Sequence, residues 1–135
     1  MKLQKATLFA LIAVLDLAAD PQAQPSALEI AERHGISAHH LAKVLRTLGR
    51  AGIVDAVRGV GGGYRFIGNP KRLTLMDIIA LFEPPRAAPP AARPGTGAGE
   101  ALLRVLNEID EHAAATFRSI TLSTMLKLMR APVRT

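Results

Sequence analysis

Cysteine is absent from the 135 residues, which excludes disulfides, thiolate zinc sites and cysteine-ligated iron–sulfur clusters. Tryptophan is absent as well, and aromatic residues make up only 4% of the chain. A core must therefore be packed from Leu, Ile, Val and Ala, and a hydrophobic content of 49% supplies them. Long apolar runs are also missing. The run 6–15 is too short to span a bilayer, and Asp16 interrupts it. No clean small-residue cleavage pattern follows, so this segment reads as the first helix of a cytoplasmic protein, with no membrane partner. Acidic residues are outnumbered, 11 against 17 Lys and Arg, for a net charge of +6. The excess is local: residues 26–72 hold eight cations and three carboxylates, a net +5. A positive field concentrated in a third of the chain attracts a polyanion, and nucleic acid is the usual one.

What is present follows a helical pattern. Leu8, Leu11, Ile12, Leu15 and Ala18 recur at spacings of three and four, predicting a helix over 3–19 with that stripe inward. Asp20-Pro21 ends it. Ser26 with Glu29 forms a capping-box pattern opening a short helix, with Leu28, Ile30 and Ala31 available for the core. Gly35 stops this helix, and Ser37 caps the next, whose apolar stripe is Leu41, Val44, Leu45 and Leu48. Two short helices about a glycine-containing turn make a helix-turn-helix pattern. Residues 53–57 and 64–67 then read as short strands around Arg58-Gly59-Val60-Gly61-Gly62-Gly63, a run suited to a hairpin tip. The glycines also resemble a phosphate-cradling loop, but such a loop opens directly into a helix, and here a strand-like segment follows.

Thr74 caps a fourth helix with Leu75, Ile78, Ile79 and Phe82 on its buried face. Residues 84–99, rich in Pro, Ala and Gly, read as a linker that cannot form a core. From Glu100 a long helix carries Leu102, Leu106, Ile109, Ala113, Phe117 and Ile120 at near-heptad spacing, a candidate dimerisation seam. A final short helix has Met125, Leu126 and Met129 as its apolar face. The fold expected is mainly α with a small β-hairpin wing. It comprises a winged helix-turn-helix over 1–83, the linker 84–99, and a dimerisation helix with a short terminal helix over 100–135.

The second helix of a helix-turn-helix enters the major groove with its N-terminal half. Ser37, His39, His40 and Lys43 lie early enough to reach base edges, whereas Arg46 and Arg50 lie further back, toward phosphates. Arg58, supported by Gly59 and Gly61, suits the minor groove, and Lys5 and Thr7 offer further phosphate contacts. His34, His39, His40 and His112 have no acidic or thiol neighbour at ligand spacing, so no metal or other cofactor is expected. Glu108, Asp110 and Glu111 read as a solvated helix face, and no nucleophile–base–orienter set points to an enzyme.

The segments E-I-A-E-R-H-G-I-S, H-L-A-K-V-L-R-T-L-G-R-A-G-I-V and, most specifically, A-V-R-G-V-G-G-G-Y-R resemble the IscR/NsrR-type (Rrf-two) family of bacterial winged-helix regulators. The likeness continues through R-L-T-L-M-D-I-I and F-E-P and returns in S-I-T-L at 119–122. It implies a homodimer with crossed long helices, each subunit reading half of a palindrome on double-stranded DNA. It places Ser37, His39, His40 and Lys43 on the recognition helix, and Arg58 with Gly59 in the wing. Where some members carry a base-reading glutamate, this chain has Ala42. Where many carry three cluster-binding cysteines, it has the cysteine-free segment 84–99. Leu8 stands where nitric-oxide-sensing members supply an acidic ligand. The expectation is thus a regulator, a repressor by steric occlusion, without a cluster and answering to an unknown small molecule or protein effector. The alternative is a winged-helix protein–protein adaptor whose DNA binding is lost or secondary.

Overall fold

The computed structural model describes residues 2–84 and 95–130. Six helices and one hairpin follow in the order α1 (Lys5–Ala19), α2 (Ala27–His34), α3 (Ala38–Arg50), β1 (Val54–Val57), β2 (Gly63–Phe66), α4 (Leu75–Phe82), α5 (Gly97–Ser119) and α6 (Leu122–Arg130). Residues 85–94, most of the expected linker, lie outside the described residues.

The local signals act as their chemistry dictates. The Ser26 hydroxyl accepts from the Glu29 amide at 3.1 Å, and the Glu29 carboxylate reaches back to the Ser26 amide at 3.5 Å. These contacts satisfy donors that have no partner inside α2. Gly35 then takes the left-handed conformation, φ +65°, and returns its amide to Ala31. Ser37 restarts the helix two residues later, its hydroxyl accepting from the His40 amide at 3.3 Å. The same chemistry opens α4, where Thr74 and Asp77 form a second capping box.

The predicted stripe of α3 is the buried one, and Leu41, Val44, Leu45 and Leu48 all enter the core. Ile30 and Ala31 of α2, Ile78 and Ile79 of α4, and Leu122 of α6 meet them there. The hairpin is antiparallel, with Val54 opposite Phe66 and Val57 opposite Gly63. Residues 73–75 bind the α5–α6 junction through Leu75 N to Ile120 O and Leu122 N to Leu73 O, both 2.9 Å. This backbone pairing seats Leu122, fully buried, in the same core as Val14 and Ile78.

Three expectations are corrected. In α1 the core-facing residues are Thr7, Ala10, Ala13, Val14, Leu17 and Ala18, while Leu8 and Ile12 are exposed. The helix is apolar nearly all round, so its sequence does not mark one face; small side chains let α3 and α4 pack close, and the bulky stripe turns outward. Leu28 in α2 and Met129 in α6 are likewise exposed rather than in the core. Finally, α5 begins at Gly97, three residues before the expected start, because the Thr96 hydroxyl caps the Gly99 amide at 3.0 Å.

Candidate nucleic-acid interface

Burial of the α3 stripe fixes what the opposite side presents. His39, Lys43, Arg46 and Arg50 are exposed and follow one another at four, three and four residues, so they line one face. No carboxylate lies on α3. Among the described residues Lys43, Arg46 and Arg50 make no ion pair, which leaves their charge available to a polyanion. Ser37 is exposed at the start of this face, although its hydroxyl is engaged as the helix cap. His40 is half-buried, and its ring packs edge-on against Phe9 of α1, centroids 4.9 Å apart at 79°. It therefore braces α3 on α1 and presents less of itself outward than His39 does.

The strands of the hairpin border the Arg46 side of α3. A tight turn closes the hairpin through Gly62 N to Gly59 O at 2.9 Å, with Gly61 at φ +77°, the sign a type II turn requires at its third residue. Arg58, Gly59 and Gly61 are exposed. Arg58, unlike Arg65, has no acidic partner among the described residues; Arg65 meets Asp55 across the hairpin at 3.3 Å. An open groove of about 350 Å³, bordered by Ala42, Arg46 and Gly49 on one side and Asp55 and Tyr64 on the other, separates α3 from the hairpin.

The wing is anchored where β2 leaves the turn, a feature that glycine content alone does not reveal. The Tyr64 amide donates to the Pro25 carbonyl at 2.9 Å, tying β2 to the loop before α2. At Gly63 a Cβ would fall 2.2 Å from the Gln24 carbonyl oxygen and 2.3 Å from that of Pro25. Only a residue without a side chain allows that approach. A second brace joins α1 to α2: the Asp16 carboxylate receives Arg33 at 2.6 Å and His34 at 2.7 Å. Arg33 thus serves the scaffold more than the field. The separation of Asp16 from this pair, 17 and 18 residues, gives no local sequence signal.

Lys5, at the first turn of α1, is exposed. Thr7 is not, and its expected phosphate contact is corrected. The residue is 0% exposed, and its hydroxyl has no hydrogen-bond partner, so no phosphate can reach it. The expected dimer seam divides in two. Leu102 and Ile109, with Val105 between them, are exposed. Leu106 and Ala113 are half-buried, and Phe117 and Ile120 pack on the chain's own core.

Residues 3–128 match the family model for Rrf2, described as an iron-dependent transcriptional regulator. The chain is 52% identical over 130 residues to the HTH-type transcriptional regulator BadM of Rhodopseudomonas palustris, covering 96% of this chain and 83% of that protein. Among solved structures, IscR of T. potens superposes with a TM-score of 0.76 at 27% identity, over 99% of this chain and 94% of that one. CymR, the global cysteine regulator of B. subtilis, does so with a TM-score of 0.77 at 25% identity, over 95% and 98%. These are regulators rather than enzymes.

The iron in the family's description finds no matching donors here. The sequence has no thiol, and among the described residues no group of three or more His, Asp or Glu side chains is placed to hold a metal. No helix among the described residues is long and apolar enough to cross a membrane. A capped helix-turn-helix, a glycine-supported wing and a match running almost end to end lead to one conclusion: the chain is a winged-helix, DNA-binding transcriptional regulator and belongs to the Rrf2 family.

Proposed function

We propose that this chain acts as a homodimer that represses transcription by occupying a palindromic operator, and that it does so without an iron–sulfur cluster. The observation that carries the reading is the face of α3. His39, Lys43, Arg46 and Arg50 stand exposed in one row with no acid among them, and the hairpin that borders α3 carries Arg58 exposed at its tip. The cap residue Ser37 and, early in α3, His39 and Lys43 are offered to base edges, and His40 steadies them from its seat on Phe9. Arg46, Arg50 and Lys5 are offered to phosphates, while Arg58 with Gly59 and Gly61 takes the minor groove.

Dimerisation is supported by apolar surface left over after the core is built. Leu102, Val105 and Ile109 of α5 are each about half exposed, as is Leu8 of α1. A two-fold partner would bury such a self-complementary stripe, and two readers would then meet a palindrome. Independence from a cluster rests on the absent thiols. Control then falls to a small molecule or a protein partner.

Selection of bound duplexes from genomic DNA, followed by anisotropy titration, tests the reading. We expect inverted repeats, a stoichiometry of two chains per site, and loss of affinity in Lys43→Ala and Arg58→Ala. Full affinity in both variants would mean that this face is not the reader. Failure to enrich any duplex, together with a stable heteromeric complex, would favour a protein-binding adaptor.

A further inference from the structure

The wing tip carries a side chain that no part of the fold uses. Val60 has a relative exposure of 111%, more than any other large apolar residue among those described. It sits at the second position of the Gly59–Gly62 turn, the outermost point of the hairpin. Its flanks are bare, since Gly59 at φ +106° and Gly61 at φ +77° stand on either side, with open space where their Cβ atoms would be. Two residues back lies Arg58, exposed and without an acidic partner among the described residues. The tip therefore presents two side chains only, one cationic and one branched aliphatic.

We infer that Val60 is a specificity-determining residue that selects A·T over G·C base pairs on the floor of the minor groove, an inference resting on the DNA-binding reading above. Both side chains of the tip suit that groove. Arginine is drawn into the strong negative potential of a narrow minor groove. The groove is only about 6 Å wide, and a tip bare of side chains at Gly59 and Gly61 is thin enough to enter it. Once inside, the isopropyl group of Val60 meets base edges. An A·T pair offers acceptors and a smooth floor, whereas a G·C pair projects the guanine N2 amino group. A Val side chain cannot accept a hydrogen bond from that amino group, so a G·C pair would leave the donor dry and crowd the methyls. Removal of Val60 from water is the second gain, since nothing within the chain shelters it.

The test uses the full chain and a duplex library with a randomised centre, selected for binding to the wild type. The wild type is expected to enrich A·T at the base pairs outside each recognition-helix site. Single G·C replacements there should weaken binding by about tenfold, in the range usual for one wrong pair. Inosine·C in place of G·C removes only the N2 amino group and should restore affinity, because its minor-groove face resembles A·T. Val60→Ser should lose most of this preference, weaken binding to the A·T duplex by about tenfold, and leave the salt dependence unchanged. Arg58→Gln should instead lower the salt slope by about 1.

Because the side chain touches nothing in the fold, the Val60→Ser variant should melt with the wild type. A preference that survives Val60→Ser, or inosine·C pairs that behave as G·C, would overturn the assignment of Val60 and leave the DNA-binding reading standing. A library in which no sequence is enriched would overturn both.

Discussion

Replacement of Gly63 by Ala tests whether the wing is held by the body of the domain or merely hangs from it. A Cβ at this position would fall 2.2 Å from the Gln24 oxygen, 2.3 Å from the Pro25 oxygen and 2.5 Å from the Pro25 carbon. All three are backbone atoms, so no side chain can swing aside. Either the 24–25 loop moves, displacing the start of α2, or β2 lifts away and the Tyr64–Pro25 hydrogen bond of 2.9 Å is lost. Overpacking of this kind costs about 1–3 kcal/mol, and a lost hydrogen bond adds about 1 kcal/mol. The expected destabilisation is thus about 2–4 kcal/mol, a large part of a total stability of roughly 5–15 kcal/mol. At about 4 °C per kcal/mol for a domain of this size, the melting temperature should fall by about 8–16 °C. Gly61→Ala is the control, because it meets open space and carries only the strain of its φ of +77°, about 1 kcal/mol. Thermal melts followed by circular dichroism give the stability, and hydrogen exchange at the Tyr64 amide reports on the anchor. If Gly63→Ala melted within about 1 °C of the wild type with Tyr64 still protected, the anchored wing would be refuted.

Three further outcomes follow from the same contacts. Thr7→Val should keep or raise stability by up to about 1 kcal/mol, since it removes a buried hydroxyl that has no partner, and should leave DNA affinity unchanged. A melt and an anisotropy titration check both parts. Asp16→Ala should cost about 1–2 kcal/mol in denaturant titration, because Arg33 and His34 lose their bridge to α1, and amides of α2 should exchange faster. The partly exposed setting of both partners keeps the figure low. Ser26→Ala should cost about 1 kcal/mol in the same assay through loss of the α2 cap, and Ser26→Gly only a few tenths.

The helix-turn-helix and the hairpin were legible in the sequence because their signals are local. Ser26, Glu29, Gly35 and Ser37 act within a few residues of themselves, so their spacing alone marks two helices and the turn between them. The strict stripe of α3 assigned its outward face by subtraction, and the strand-like segment after the glycine run marked that run as a tight tip. Features that depend on distant partners were not legible. A helix such as α1, with apolar residues on every side, gives no periodic signal to separate the Ala10–Ala13–Leu17 face from the Leu8–Ile12 face. Packing decided it, and Thr7 went inside as a consequence. The approach of Gly63 to residues 24–25 and the bridge from Asp16 to α2 likewise join segments that sequence order keeps apart. Phe117 and Ile120 fit a heptad seam on paper, yet the pairing of residues 73–75 with 120–122 turns them toward the chain's own core.

The most direct test of the central claim, that the α3 face and the wing together read DNA, is the affinity of the full chain for a genomically selected duplex across a salt series. The wild type should bind that duplex at least about 10³-fold more tightly than a scrambled one. Its log affinity should fall linearly with log salt, with a slope reduced by about 1 in each of Arg46→Ala and Arg58→Ala. Equal affinity for selected and scrambled duplexes, or a slope that neither substitution changes, would contradict the account.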